Sequence, residues 1–279
     1  MPESSQNRRS GGRPASGRPT GFLQPDRRAT LLAATEPVRA AASAGALALT
    51  YPLLRGAPRG EPHGVLVLPG LMASDASTVT LRRWLRGLGY PVVGWELGRN
   101  RGPTKEITDE LPRLVERLAE RHGGPVSVVG QSLGGIFARR LALRVPRLVR
   151  QVVSLGSPFG LAGRPADGTP GARAYARYRH LHAVPTTGRG DLRGALPVPS
   201  TAVYSRWDGV VDWRACRQRP GPRSENVGVH ASHLGMGLDP AVLWLVADRL
   251  AQTRAGWTPF TPPARLRRLY PREDGDAAG

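Results

Sequence analysis

The chain has a single cysteine, Cys216, in 279 residues. No disulfide can close within it, and one thiol cannot by itself make a zinc site, so nothing in its cysteine content points to an oxidising compartment. No Cys-His motif surrounds Cys216, which reads as a small core or surface thiol. Lysine is scarcer than expected: Lys105 is the exception among forty basic residues, the rest being Arg. Acidic residues number only 21, leaving a net charge of +19. Such a surplus raises the question of nucleic acid. The arginines, however, are scattered over every predicted helix and loop without a groove-like block of interleaved aromatics, a pattern closer to the coding bias of a GC-rich genome than to a phosphate-binding face. Nucleic acid is therefore not an expected partner. Long apolar runs are missing as well. The uncharged stretch from Ala40 to Leu54 is shorter than the roughly 20 residues needed to cross a bilayer and carries Ser43, Gly45, Thr50 and Pro52. Arg27 and Arg28 precede Leu31 and Leu32, but Glu36 and Pro37 interrupt what would be the h-region of a secretory signal, so a cytoplasmic location is expected over twin-arginine export.

What is abundant is 40% hydrophobic content with many Gly and Pro, the composition of a folded domain with numerous loops. The Ser-, Gly-, Pro- and Arg-rich stretch 1–28 cannot bury enough apolar surface to order itself and reads as a disordered basic tail. A weak contact with an anionic membrane surface is the one partner its charge suggests. Residues 29–255 form the expected domain, and 256–279 a Pro-rich C-terminal tail.

From His63 onward, short β-branched runs alternate with helical patterns, as in a mainly parallel sheet flanked by helices, an α/β fold. Strands are expected at Val65 to Leu68, Val92 to Leu97, Val126 to Val129, Val149 to Leu155, around Val203 and Tyr204, and at Val227 to Val229. Helices are expected on Leu81, Trp84, Leu85 and Leu88, on Leu111, Leu114, Val115 and Leu118, on Leu133, Ile136, Phe137 and Leu141, and after the Asp239-Pro240 cap pair through Leu250. Residues 159–197 break the rhythm with Gly, Pro and a short Tyr175, Tyr178, Leu181 patch. An insertion of that length inside a domain suggests a lid over a pocket.

The strongest motif is Gly130-Gln131-Ser132-Leu133-Gly134, a G-x-S-x-G between an apolar strand and an amphipathic helix. Glycines remove the Cβ atoms that would clash in so sharp a turn, and the serine hydroxyl is raised above the sheet edge. Serine needs a base within hydrogen-bond reach, and the base an orienting acid. Asp208, in Trp207 to Val211, and His233, in Ser232 to Gly235, supply them, each just past a strand and in the chain order Ser, Asp, His. His230 competes as base but reads as still within its strand; Asp212 and Asp191 compete as acid. Oxyanion donors are expected from the backbone N–H of Leu133, directly after the nucleophile, and of Leu71, in the Pro69-Gly70-Leu71 turn after the first core strand.

Together, Val65 to Leu71, Gly130 to Gly135, Leu155-Gly156-Ser157-Pro158-Phe159, Trp207 to Val211 and Ser232 to Gly235 resemble the lipase and esterase branch of the α/β-hydrolase superfamily over roughly residues 60 to 252. Pro69 departs from the histidine that many members carry before the oxyanion glycine. The resemblance implies hydrolysis of a carboxylic ester, with no metal or organic cofactor. The Tyr- and Leu-bearing insertion suggests a small ester with an apolar acyl group. An acyltransferase, a thioesterase or a cofactor-free perhydrolase would use the same three residues. From another class, a hydrolase-like binding protein without catalysis is disfavoured by the presence of all three triad residue types.

Overall fold

A computed structural model describes residues 27–161, 168–182, 192–253 and 256–271. Six strands form one parallel sheet: β1 (Val65–Leu68), β2 (Val92–Val93), β3 (Val126–Gln131), β4 (Val149–Leu155), β5 (Ser200–Ser205) and β6 (Ser224–Val229), in the order β2-β1-β3-β4-β5-β6. Alternate side chains of the strands go to opposite faces. Val65, Val67, Val129, Val153, Leu155 and Val203 face one core, shared with α2 (Val79–Gly87) and α6 (Pro240–Ala251). Leu66, Leu68, Val126, Val128, Val152 and Ala202 face the other, against α3 (Lys105–Arg121) and α4 (Leu133–Arg144). Strands covered on both faces become continuous apolar runs, which is why β1 reads Val-Leu-Val-Leu with every residue buried. Each such side chain contributes roughly 1.5–3 kcal/mol by leaving water.

The order reverses at β1. The loop leaving β1 leads to one side of the sheet and the loop leaving β3 to the other, so a crevice opens beyond their carboxyl ends, the place where ligands bind in open parallel sheets.

Three expectations from the sequence need correction. The strand expected over Val92 to Leu97 is only two residues long, because the Asp75 carboxylate takes the Trp95 and Glu96 N–H groups at 3.0 Å each and turns the chain out of the sheet. His230 lies just beyond β6, not within it. The segment from Arg27, divided in the sequence between a tail and an unassigned start, is a 28-residue helix, α1 (Arg27–Leu54). Pro37 and Pro52 lie inside it, and the buried Glu36 interrupts any simple apolar stripe, so periodicity does not announce it. Among the described residues no helix is long and apolar enough to cross a membrane.

Part of the insertion at 159–197 is helical, with α5 (Pro170–Arg177) followed by a short 3₁₀ turn, Arg179–Leu181, over the stretch that holds Tyr175, Tyr178 and Leu181. Its return to β5 is fixed by the buried Arg139, which donates to the carbonyls of Leu192 and Gly194 at 2.6 and 2.7 Å and to Gln218 at 2.6 Å. Residues 256–271, read from sequence as tail, run back over α6: Leu266 and Tyr270 are buried in the first core, and the Tyr270 hydroxyl donates to the Ala241 carbonyl at 2.8 Å. Arg249 anchors this segment. It is fully buried, pairs with Asp248, donates to Glu225 at 2.8 Å and to the Thr258 carbonyl at 2.7 Å, while Glu225 also accepts from Thr201 and Phe260 N–H. Removing one partner of a buried ion pair strands the other's charge, so Arg249→Ala should cost about 3–5 kcal/mol, read as a lower urea midpoint.

Candidate active site

Ser132 stands between the last residue of β3 and the first of α4 with φ 52° and ψ −120°, a backbone conformation that a non-glycine residue rarely holds. The strain is enforced by the turn's tightness. A Cβ on Gly134 would lie 2.4 Å from the Leu68 carbonyl oxygen and one on Gly130 2.3 Å from that of Gly134, so strand, turn and helix can meet this closely only where side chains are missing. The Ser132 N–H donates to Leu155 O at 2.8 Å, tying the turn to the end of β4.

The turn after β1 lies directly beside it. A Cβ on Gly70 would sit 3.2 Å from Ser132 Cβ and 3.8 Å from Oγ. Buried Asn100 shapes that turn: its side-chain amide donates to Pro69 O at 2.8 Å, its backbone carbonyl accepts from Met72 N–H, and Met72 takes φ 61°. Among the described residues no protein acceptor engages the N–H of Leu71 or of Leu133. Both therefore keep their donors free, beside the serine, as oxyanion binding requires.

His233 and Asp208 meet across the loops after β6 and β5. Both are buried, and His233 Nδ1 lies 2.6 Å from Asp208 Oδ2. A carboxylate only accepts, so the Nδ1 nitrogen carries the proton and Nε2 is left as the acceptor. The other Asp208 oxygen accepts from the N–H groups of Val210 and Val211 at 2.8 and 2.9 Å, which fixes the carboxylate plane. Burial is the largest influence on His233 and disfavours its charged form, but the charge and hydrogen bond of Asp208, together with the charge of Glu36, outweigh it and raise its pKa above the ordinary imidazole value.

The histidine loop is also tied to the serine turn, since Gln131, the residue before Ser132, donates to the His233 carbonyl at 3.0 Å. Gly156, at the end of β4, faces the imidazole: a Cβ there would be 3.2 Å from Nδ1. Among the described residues no hydrogen bond joins the Ser132 hydroxyl to the ring. Contacts of this kind commonly tighten only in the complex with substrate.

The rivals lie elsewhere. His230 is exposed. Asp212 caps the 3₁₀ turn Trp213–Cys216 through Arg214 N–H and pairs with the exposed Arg214 side chain. Asp191 lies outside the described residues. Cys216 is buried, and burial, with Asp208 and Asp212 nearby, pushes its thiol well up, away from nucleophilic use. Among the described residues no group of three or more His, Cys, Asp and Glu side chains is placed to hold a metal. Three residues that shape the site escaped the sequence reading: Asn100 and Gln131, which no pattern marks, and Glu36, whose one signal is an acid inside an apolar run.

Sheet order, the serine turn and the Asp-His pair define the α/β-hydrolase fold. Solved structures agree on that fold. The pyrethroid hydrolase PytH superposes with a TM-score of 0.51 at 18% identity over 71% of this chain and 100% of that one. Lipase B of Aspergillus fumigatus gives 0.53 at 16% identity, covering 71% of this chain and 56% of its own. One of the metagenome-derived lipolytic enzymes described as LipS and LipT gives 0.50 at 18% identity over 70% and 94% of the two chains. The Esterase family pattern matches residues 90–195, a span that contains the serine turn. No curated protein matches the sequence. The chain thus has the α/β-hydrolase fold, and over residues 90–195 it is similar to the Esterase family.

Proposed function

We propose that the protein cleaves small carboxylic esters through an acyl-enzyme on Ser132, with His233 as general base and Asp208 as its orienting acid. The observation that carries this is the buried 2.6 Å contact between His233 Nδ1 and Asp208 at the sheet end where the strained Ser132 turn stands. Ser132 Oγ attacks the acyl carbonyl carbon and its proton passes to His233 Nε2. The N–H groups of Leu71 and Leu133 hold the oxygen that becomes negative. The tetrahedral adduct collapses, the C–O bond to the leaving alcohol breaks, and His233 returns the proton to that alcohol. Water, deprotonated by the same ring, then releases the acid and regenerates Ser132. Tyr175 packs against the second core from α5, and the apolar side chains of this insertion support an apolar acyl group in the substrate.

Labelling with a fluorophosphonate tests the reading: wild type should react at Ser132, and Ser132→Ala should not. A wild type that fails to react overturns it.

The pH profile follows from the electrostatics. The base must be neutral to accept a proton, and its pKa is raised, so kcat/KM should fall on acidification with a midpoint above the ordinary value of about 6.5. A midpoint at or below that value in a p-nitrophenyl ester assay contradicts the assignment of His233 beside an ionised Asp208.

A further inference from the structure

Glu36 is a buried carboxylate at the site that acyl transfer does not use. It is 3% exposed on α1, outside the sheet. Its Oε1 accepts from Gly209 N–H at 2.8 Å, from His233 N–H at 3.0 Å and from the Arg39 guanidinium at 3.0 Å, while Oε2 accepts from Leu234 N–H at 3.0 Å. Gly209 directly follows the acid and His233 is the base. One carboxylate therefore bridges the loop after β5 to the loop after β6 and fastens both to a helix that begins more than a hundred residues earlier in the chain.

The loops are built to receive it. A Cβ on Gly209 would lie 2.4 Å from the Leu32 backbone, and one on Gly235 would lie 2.9 Å from Ser43 Oγ and 3.3 Å from Ala40 Cα. Missing side chains at these two positions let α1 approach both loops closely. Arg39 extends the clamp by donating to the Trp207 carbonyl at 2.5 Å and to Leu32 O at 2.6 Å. Burial alone would push the Glu36 carboxyl up, but the three backbone donors and Arg39 outweigh it and hold it below the usual carboxylate range, so it is charged at neutral pH.

We propose that Glu36 is a positioning residue for ester hydrolysis, fixing the separation of the Asp208 and His233 loops and adding a second fixed negative charge that favours the imidazolium formed during the reaction. This rests on the Ser132, His233 and Asp208 reading above. The charged groups involved are Glu36 and Arg39 on α1, Asp208 after β5 and His233 after β6. Helix docking alone would explain a loss of stability on mutating Glu36. It would not explain a change in the titration of the base.

The test compares full-length wild type with Glu36→Gln, which keeps the size and one acceptor oxygen but removes the charge and sets an NH₂ against a backbone donor. Hydrolysis of p-nitrophenyl butyrate and the rate of fluorophosphonate labelling are followed against pH. Displacing a catalytic group by a fraction of an ångström to one ångström costs up to about 100-fold, so kcat and the labelling rate should fall by about 10- to 100-fold. The acid limb of kcat/KM should move to lower pH, because a negative charge that favoured imidazolium is gone. Unchanged kcat, or a fall in kcat with the acid limb unmoved, overturns the inference. Should Glu36→Gln not fold, Glu36→Asp carries the test: kcat should fall while the acid limb stays at its wild-type position, and any other pair of results overturns the inference. If wild type itself does not label, the triad reading fails; if wild type labels and Glu36→Gln matches it, only the role of Glu36 fails.

Discussion

Ser132→Ala should lower kcat for p-nitrophenyl esters by on the order of 10⁶-fold while leaving the thermal unfolding midpoint close to that of wild type. The substitution removes one oxygen. Alanine meets the same backbone strain at φ 52° as serine does, and among the described residues the Ser132 side chain makes no hydrogen bond whose loss would destabilise the fold. In the proposed mechanism the role of the hydroxyl is chemical, not structural. In that mechanism, what rate survives belongs to the N–H groups of Leu71 and Leu133 and to substrate binding. His233→Ala should cost about as much, and the double variant no more than either single one, because nucleophile and base act as a unit. Losses that multiply in the double variant would show that the two residues do not share a step.

Asp208→Asn should lower kcat by about 10⁴-fold with KM little changed. Its geometry makes this substitution unusually clean. Oδ1 is held by the N–H groups of Val210 and Val211, so the carbonyl oxygen of an Asn stays there and its NH₂ takes the place of Oδ2, 2.6 Å from His233 Nδ1. Two donors cannot face each other at that distance. The imidazole then carries its proton on Nε2, where it cannot accept from Ser132. The same change removes the charge that raises the His233 pKa, so what activity remains should keep its acid limb at lower pH than wild type. Asp208→Asn with kcat within tenfold of wild type would mean that another group orients the ring.

Much of this arrangement was legible in the sequence. Val65 to Leu68 is apolar on both faces because both faces are covered, and Val126, Val128 and Val129, like Val152, Val153 and Leu155, keep that signal on either side of Ser127 and Ser154, within a few residues. The Gly130 to Gly134 turn was readable for the same reason: its glycines are demanded by contacts within the strand-turn-helix unit and its neighbouring strand. Asp208 and His233 could be named from their places just after strands, and the structure brings these two into contact. His230, set aside in the sequence as part of its strand, lies just beyond β6 and is exposed, and Asp212 caps the turn Trp213–Cys216.

What escaped depends on approach between distant segments. The second strand was read as six residues where two pair, since the Asp75 carboxylate that ends it comes from seventeen positions before Val92 in the chain and carries no local mark. Helix α1 was hidden by Pro37, Pro52 and Glu36, residues that weaken an isolated amphipathic pattern but are tolerated once the helix packs against the sheet's covering layer and the loops that carry Asp208 and His233. Asn100 shapes the turn beneath the Leu71 amide from a loop of its own.

The sequence by itself determined the layered α/β architecture, the tight serine turn and the identities of the residues after each strand, because these depend on periodicity and on sterics within a few residues. Only the tertiary structure decided that Glu36 closes over the Asp208 and His233 loops, and that Asn100 and Gln131 hold their neighbours in place. Those bonds join groups from 31 to 198 residues apart, and a hydrogen bond of that span exists only after the sheet has brought its strand ends together.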